Sequence, residues 1–424
     1  MKKEPRSTTD PVWRSRPTAF DIAPATTVRH AAVNDFIHVS EGTTNSYLIV
    51  TPAGRIVVNS GLGFEAPVHK AYFDSVDRSP LRYIILTQGH VDHVGGVDCL
   101  REPGTEIVAH ADNPAQQADD LRVQPFRSRR AYFAWAAAID GKRGTSAGPP
   151  PVQSRPQPTI AVRDRLAIEL GGLRVEVIAC SGAETPDSLL VWLPDQRILV
   201  TSNIFSALFG HFPNLVTMRG DRYRDPLPYL ETLALVRDLG AEMLLVGHGP
   251  PVVGREVIAA ELTRMEGAVR HVHDAVVAAM NGGQDVWTAM REIRLPPELQ
   301  QGEGYGAVAW SVRAIWEMYA GWFHHHSTTE LYPVPYWSVH PELVALAGGP
   351  DAVAAAAQAK AADAPVEALH LAEAALAAAP RHRGGLAAAL AAHRALLGRA
   401  VNFWEVRWLE HQIRSLEQRL GEAP

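Results

Sequence analysis

The sequence predicts an α+β fold in which a region of mixed sheets precedes an all-helical region. Between about residues 30 and 250, short apolar runs of strand length alternate with loops. After residue 255, apolar residues instead recur at helical spacing. Residues 351–379 contain sixteen alanines, which strongly favour helix. A length of 424 residues suggests two or three domains.

The predicted strands are rich in β-branched and aromatic residues, and most have Gly, Pro, Asn or Asp near their ends. They are almost continuously apolar, which predicts sheets covered by helices. The runs are 47–50, 55–58, 83–86, 173–178, 189–193, 197–200 and 243–246.

The predicted helices follow residue 255. The apolar residues from Ile258 to Ala279 are spaced alternately four and three apart, which places one stripe on a helix. A second stripe runs from Val312 to Phe323, and a last one from Leu409 to Leu420. These patterns predict a polar, poorly ordered arm at 1–27, a mixed-sheet domain at 28–254 and a helical domain at 255–424.

Composition excludes several classes of protein. Forty basic and 46 acidic residues give a net charge of −6, which argues against a nucleic-acid binder. No apolar run approaches the length of a membrane span, and the basic N-terminus has no apolar segment typical of a secretory signal. Two cysteines are too few for a disulfide framework and indicate a reducing compartment, so we expect a cytoplasmic protein.

The densest group of chemically active residues follows the predicted strand at 83–86. The segment Thr87–Gly96 places His90, Asp92 and His93 within four residues, followed by two glycines that permit a tight turn. Imidazole and carboxylate side chains are suitable ligands for zinc or iron. Loops at strand ends commonly carry such sites. The segment therefore predicts a metal site.

Three further segments also follow apolar strands. They are Cys180–Ser188, Thr201–Asn203 and Gly247–Pro250. Taken alone, each is typical of a turn between secondary elements.

Together, the four segments resemble the metallo-β-lactamase superfamily in order and spacing. The second segment, Gly182-Ala183-Glu184-Thr185-Pro186, is similar to that of the alkylsulfatase branch. Further signatures of that branch are matched by Met218-Arg219-Gly220-Asp221, Leu295-Pro296-Pro297, Tyr305-Gly306 and Gly321-Trp322-Phe323. The resemblance implies an αββα sandwich followed by a helical dimerisation domain, without the sterol-carrier-like domain of typical members. It also implies a homodimer.

The resemblance also implies two metal sites, which would hold one or two zinc ions, with iron or manganese as alternatives. The first site would comprise Gln88, His90 and Glu184, and the second Asp92, His93, Asn203 and His248. Three positions depart from the family pattern: Gln88 replaces a histidine, and Asn203 and Asn59 replace carboxylates. An amide is a weaker ligand than imidazole or carboxylate, so Gln88 and Asn203 either lower the metal affinity and leave one site empty, or leave a stronger Lewis acid that needs an anionic substrate to complete it.

The implied reaction is attack by a metal-bound hydroxide on an ester of an apolar small molecule, with a sulfate ester as the first candidate. Asp92, His93 and Arg219 would be catalytic, and the Arg219 fork would hold the anionic group. Arg224 and His211 are further candidates for substrate binding. Phe133 and Trp135 replace family hydroxyl groups and predict a more apolar pocket.

Two alternatives remain open on the sequence. The first is a metalloenzyme with one metal or altered chemistry: a non-sulfate hydrolase, a lyase or an iron-dependent enzyme. The second is a catalytically inactive, metal-free binding protein. Gln88 and Asn203 motivate both, whereas the retained His90, Asp92, His93, Glu184 and His248 argue against the second.

Overall fold

A computed structural model describes residues 10–23, 29–136, 153–180, 182 and 184–422. The chain divides into two compact units, Met1–Met318 and Tyr319–Pro424. These units are defined by the contacts within each of them. The boundary predicted from the sequence, between residues 254 and 255, instead marks the change from mixed sheets to helices. That boundary stays a prediction.

The first unit contains a seven-stranded sheet with strand order β1 to β7. Strands β1 to β4 are antiparallel, whereas β4 to β7 are parallel. The strands are β1 (Arg29–Ala32), β2 (Ile37–Glu41), β3 (Ser46–Thr51), β4 (Gly54–Val58), β5 (Leu81–Ile85), β6 (Glu106–His110) and β7 (Ile160–Val162).

A second, six-stranded sheet has the order β13-β12-β11-β10-β9-β8. Its pairs are antiparallel except for β11 and β12, which run parallel. The strands are β8 (Arg165–Leu170), β9 (Leu173–Ala179), β10 (Leu189–Leu193), β11 (Ile198–Ser202), β12 (Met243–Val246) and β13 (Val252–Val253). All seven predicted strands are present.

Helices cover the outer faces of both sheets. In the first unit they are α1 (Ala66–Val76), α2 (Val91–Val94), α3 (Val97–Leu100), α4 (Asn113–Arg122), α5 (Gln124–Ala131), α6 (Pro226–Leu239), α7 (Arg255–Asn281), α8 (Val286–Glu292) and α9 (Val308–Ala320), the last of which ends in the second unit. The described helices include none that combines the length and apolar character needed to cross a bilayer.

Alternating residues of the strands separate the core into layers. Tyr47 and Ile49 point between the sheets and pack with Val177, whereas Leu48 points outward with Phe73 of α1. On the other side, Leu244 of β12 packs in one cluster with α6 and α7. The order of layers is therefore helix, sheet, sheet, helix, as the sequence predicts.

The N-terminal segment is more structured than the sequence suggests. Residues Val12–Ser15 and Ala19–Asp21 form short 3-10 helices, and the Val12 and Ala19 side chains are buried. The Arg16 guanidinium donates to the carbonyl of Pro250 at 2.7 Å. The expectation of a poorly ordered arm is thus wrong for 10–23; the rest of the predicted arm, 1–9 and 24–27, lies outside the described residues.

The second unit is helical, with α10 (His340–Leu346), α11 (Pro350–Lys360), α12 (Pro365–Ala378), α13 (Arg383–Leu397) and α14 (Phe403–Glu422). The alanine-rich stretch at 351–379 is two helices rather than one. Pro365 causes the break, because a residue before proline avoids helical geometry, and Ala364 has φ −129° and ψ 61°. Small alanine faces then pack closely, as at Ala357, Ala372 and Ala389.

Candidate metal centre

The polar residues after four strands meet at one edge of the sandwich. Asn59 follows β4, Gln88 follows β5, Asn203 follows β11 and His248 follows β12. Strands β4 and β5 are parallel neighbours, as are β11 and β12, so their carboxyl ends share an edge of each sheet. This topology brings together segments that lie up to 189 residues apart.

Gln88 lies at the centre of this strand-end cluster. Its side-chain amide donates to Nδ1 of His90 at 3.0 Å and to Nε2 of His93 at 2.9 Å. Both imidazoles therefore direct a lone pair towards the amide nitrogen. The amide supplies the partial positive charge to which the two imidazole nitrogens are directed.

His93 is fully buried and neutral. Burial lowers its pKa to about 4, despite the nearby Asp92 carboxylate. Its Nε2 also accepts from the Asn203 amide at 3.2 Å, while Nδ1 faces the Thr87 hydroxyl at 3.3 Å. Since Nε2 is the acceptor, the proton resides on Nδ1, and a metal ion bound at Nε2 would take the lone pair that now accepts from the two amides.

Asp92 is the carboxylate of the cluster. The Thr44 hydroxyl donates to Oδ2, which lies 3.5 Å from Nε2 of His93. Burial alone would raise the pKa of Asp92, but His93, His90, Thr44 and His248 together lower it well below the usual value. Asp92 is thus an anion at neutral pH. Burial lowers the pKa of His248 to about 4, so this imidazole is neutral.

Asn59 connects the two sheets next to the strand-end cluster, because it bonds Thr87 after β5 and Ser202 in β11. Its Oδ1 accepts from the Thr87 backbone N–H and hydroxyl, each at 3.0 Å, and its Nδ2 donates to the Ser202 hydroxyl at 3.0 Å. The residue adopts the left-handed φ of 61° that asparagine tolerates. An amide can donate and accept at once, which explains how asparagine holds this position without a carboxylate.

Asn203 approaches the His248 loop very closely. A Cβ atom at Gly247 would lie only 1.7 Å from Oδ1 of Asn203, so any larger residue there would displace the Asn203 side chain. That oxygen is buried and has no hydrogen-bond partner among the described residues. A buried acceptor without a partner is costly and is therefore suited to a cation or water.

Glu184 is buried and points to an arginine. Arg224 donates to Oε2 of Glu184 at 2.7 Å and to the Asn214 carbonyl at 2.9 Å. Burial raises the pKa of Glu184, although Arg224, His90 and Arg219 oppose that effect. The pair is thus an internal ion pair beside the cluster.

Arg219 lies beside the Nε2 atom of His90, whereas Gln88 contacts its Nδ1 atom. Its Nη2 is 3.4 Å from Nε2 of His90 and 3.5 Å from Oδ2 of Asp221. Asp221 in turn accepts from Arg127 at 3.1 Å and lies 3.7 Å from Nε2 of His90. The side chain that the sequence assigns to anion binding therefore already has a carboxylate beside it.

A cavity of about 110 Å³ opens next to this ion-pair cluster. Its lining includes the charged side chains of Glu184, Asp221 and Arg224. Phe133 and Trp135 are half-buried in a π-helical turn and are not among the residues that line it. Their contribution to an apolar substrate pocket stays a prediction.

His211 has contacts of a different kind. It is buried, its Nδ1 accepts from the Gly304 backbone at 3.1 Å, and its ring packs edge-on against Trp13. Within the described chain, it joins the N-terminal segment to the loop before α9 rather than the strand-end cluster.

Sequence reasoning missed several residues of the site. Thr44 precedes a strand and carries no motif. Asp187 is fully buried, accepts from Asn113 at 2.7 Å, and lies so close to Gly89 that a Cβ there would be 3.0 Å from its Oδ2. Asp221 belongs to the segment Met218-Arg219-Gly220-Asp221, but the sequence predicted no role for it; its charge two residues after Arg219 was the available signal.

The residues fit one metal ion better than two. The described residues contain no preassembled group of three or more His, Cys, Asp or Glu side chains in metal-binding geometry. The donor set of Asp92, His93 and His248 is nevertheless one anion and two neutral imidazoles, a suitable set for zinc. The other set does not fit, because Gln88 presents N–H groups and Glu184 is held by Arg224.

Comparison with protein families supports the resemblance to metallo-β-lactamases and alkylsulfatases that the sequence motifs indicate. Residues 39–248 match the model described as the metallo-beta-lactamase superfamily, and residues 271–405 match that of alkyl sulfatase dimerisation. A linear primary-alkylsulfatase of Pseudomonas sp. (strain ATCC 19151) is 30% identical over 73% of this chain and 62% of its own length. The alkyl/aryl-sulfatase BDS1 of Saccharomyces cerevisiae is 24% identical over 68% of this chain and 47% of its own length. The chain thus spans about half to three fifths of these relatives.

Among solved structures, the stereoselective inverting sec-alkylsulfatase Pisa1 from Pseudomonas sp. superimposes with a TM-score of 0.81 at 17% identity. The match covers 95% of this chain and 69% of that one. At this identity, the likeness shows the fold. With the two family matches and the order of the strand-end segments, it leads to one conclusion: the chain belongs to the metallo-β-lactamase superfamily, in its alkylsulfatase-like branch.

Proposed function

We propose that this protein is a metal-dependent hydrolase that cleaves an ester of a small molecule with an apolar group. The observation that carries the proposal is the convergence of Gln88, His90, Asp92, His93 and Asn203 at the carboxyl ends of the strands. The likeness to alkylsulfatases makes a sulfate ester the first candidate substrate.

In this proposal one divalent ion, with zinc first and iron or manganese as alternatives, is held by Asp92, His93 and His248. When bound, the ion supplies Lewis acidity and makes water a nucleophile at neutral pH. Thr44 holds Asp92 in place through its hydroxyl, and Thr87 and Ser202 orient the His93 ring. Hydrogen bonds of this kind, made by residues that do not themselves bind the ion, orient the ligands in metal sites.

The remaining groups bind the substrate. Arg219 lies beside His90 and would hold the oxygen atoms of the ester. Phe126, which is 50% exposed, contacts Gly220 between Arg219 and Asp221. An exposed aromatic ring at this position favours a substrate whose ester is attached to an apolar chain.

The first test is the metal content of protein purified without chelators, measured by inductively coupled plasma mass spectrometry. We expect about one equivalent per chain, because only one donor set is suitable. Hydrolysis of octyl sulfate, 4-nitrophenyl sulfate and 4-nitrophenyl acetate should be lost on chelation and restored by the metal. Two equivalents would contradict the assignment of a single site.

The second candidate function is a metal-free binding protein. The amide of Gln88 favours it, since its N–H groups already satisfy the two imidazoles. Chains without bound metal, inactive even after metal is added back, would establish this alternative. Unchanged metal content and activity in a His90→Ala variant would instead show that His90 has no part in the proposed reaction.

We further propose that the chain forms a homodimer through its second unit. Large apolar side chains between 322 and 346, here the apolar segment, are exposed: Trp322, Leu331, Tyr332, Val334, Tyr336, Trp337, Val339, Leu343 and Leu346. So large an exposed apolar surface is typical of a protein interface. The segment also lies within the match to the alkyl sulfatase dimerisation family.

Replacing Trp337, which is 56% exposed, by aspartate is therefore expected to convert the dimer to a monomer at micromolar concentration, since it places a charge in an apolar interface. Light scattering coupled to gel filtration measures the mass. The matched control is Val366→Asp, because Val366 is equally exposed in the same unit but lies outside the apolar segment. A monomeric parent protein would refute the dimer.

We keep the cytoplasm as the proposed location. Cys99 and Cys180 are both free thiols, which is consistent with a reducing compartment.

A further inference from the structure

Among the described residues, each guanidinium group that lines the cavity has a carboxylate partner, and Arg219 has one as well. Arg224 pairs with Glu184 at 2.7 Å, and Arg222 pairs with Asp119 at 2.6 Å. Arg127 bridges Asp120 and Asp221, while Arg219 lies 3.5 Å from Asp221. In the described part of the site, an incoming anion therefore meets cations that are already neutralised.

Asp221 has a special position among these carboxylates. It faces two guanidinium groups, those of Arg127 and Arg219, and its Oδ2 also lies 3.7 Å from Nε2 of the His90 imidazole. Only 12% of its side chain is exposed, so solvent screens its charge weakly. Its Oδ1 also accepts from the Arg222 backbone N–H at 3.0 Å, which keeps the carboxylate in this orientation.

This placement affects anionic and uncharged substrates differently. An anionic group that binds Arg219 must compete with the Asp221 carboxylate and approach its negative charge. Like charges a few ångströms apart in a partly buried site repel each other appreciably. An uncharged ester has no such repulsion, because it accepts hydrogen bonds without bringing a second negative charge.

We propose that Asp221 is a specificity-determining residue that weakens the binding of anionic esters at Arg219 relative to uncharged esters. The inference rests on the proposed ester hydrolysis at this site and concerns how strongly the site discriminates between anionic and uncharged esters, with a sulfate ester still the first candidate substrate. Asp221 acts on recognition, so its removal changes the affinity for the anion more than the rate of the chemical step.

The test compares Asp221→Asn with the parent protein. Asparagine retains the acceptor for the Arg222 N–H but removes the charge. We expect octyl sulfate and inorganic sulfate to bind about tenfold more tightly, measured by isothermal titration calorimetry, a change that equals about 1.4 kcal/mol. For hydrolysis, KM should fall for octyl sulfate and stay unchanged for 4-nitrophenyl acetate, with little change in kcat.

Asp225→Asn is the matched control. Asp225 lines the same cavity but caps α6 by accepting from the Leu227 backbone at 2.9 Å, a role that asparagine also performs. It should leave sulfate affinity unchanged, since no guanidinium is released. In an Arg219→Gln, Asp221→Asn double variant, the tenfold gain should disappear. Asp221→Ser, checked for folding by circular dichroism, should reproduce the gain.

Equal effects of Asp221→Asn and Asp225→Asn would overturn the inference, because they would reflect net charge alone. No gain in sulfate affinity in either Asp221 variant would also overturn it. These outcomes are separate from the proposed function. Tighter sulfate binding by the Asp221 variants without hydrolysis by any variant would refute the hydrolase function and support the specificity role of Asp221. Hydrolysis with unchanged sulfate binding would support the hydrolase function and refute that role.

Discussion

Replacing Asp92 by asparagine is expected to remove the bound metal and to lower ester hydrolysis by about a thousandfold. Asp92 is the single anion in the donor set with His93 and His248, and the Thr44 hydroxyl already holds it in place. Asparagine preserves the shape but removes the charge that attracts the ion. Metal content and initial rates of hydrolysis on the same preparation measure both effects.

Two further variants make this prediction specific. Glu184→Gln should retain about one equivalent of metal, because Glu184 is paired with Arg224 rather than with the other ligands. Asp98→Asn, an exposed carboxylate six residues beyond Asp92, should change neither metal content nor rate. Equal loss of metal in the Asp92 and Glu184 variants would show that Glu184 is a ligand and that the centre holds metal differently.

Acidification from pH 7.5 to pH 5 is expected to destabilise the first unit through its buried histidines. Burial lowers the pKa of His69 and of His211 to about 4, against 6.5 in the unfolded chain. Between these values the unfolded chain binds protons that the folded chain excludes. The stabilisation is therefore complete above pH 6.5 and is lost as the pH falls towards 4.

The expected loss is about 2 kcal/mol per buried histidine at pH 5, measured as the free energy of unfolding in urea by circular dichroism. His69→Gln should reduce the loss between the two pH values by about that amount, whereas His30→Gln, on the exposed strand β1, is the control. The raised pKa values of Glu184 and Glu261 act in the opposite direction and cancel between variant and parent. If the His69→Gln variant lost as much free energy of unfolding between pH 7.5 and pH 5 as the parent protein, His69 would not be a source of the pH dependence.

The fold was largely predictable because its strongest signals are local. All seven strands predicted from apolar runs are present, and the stripe from Ile258 to Ala279 is the helix α7. Some elements that were not predicted lack a clear apolar pattern. Strand β1 is fully exposed, and α4 and α5 are polar helices with few buried residues. At Pro365 the restriction before proline outweighs the helix preference of the surrounding alanines, which divides that stretch into two helices.

The site was predictable to a smaller extent. The resemblance indicated Gln88, His90, Asp92, His93, Glu184, Asn203 and His248, and the structure joins five of these directly, with Asp92 and His248 interacting electrostatically. Arg219 lies beside His90, as expected of a substrate-binding residue. Their assignment as metal ligands stays a prediction, as do the roles of His211, Phe133 and Trp135.

Periodicity, turn residues and short motifs are local properties of the chain, and they predicted the strands, the helices and the strand-end positions of the chemical groups. The resemblance carried by those motifs implied the layers of the fold and the family. Which charged and polar groups pair with each other depends instead on the tertiary structure. Glu184 finds Arg224, Asp221 finds Arg219 and Arg127, and Gln88 finds two imidazoles. The pairs Glu184–Arg224 and Arg127–Asp221 join residues 40 and 94 positions apart along the chain, and no local pattern carries that information.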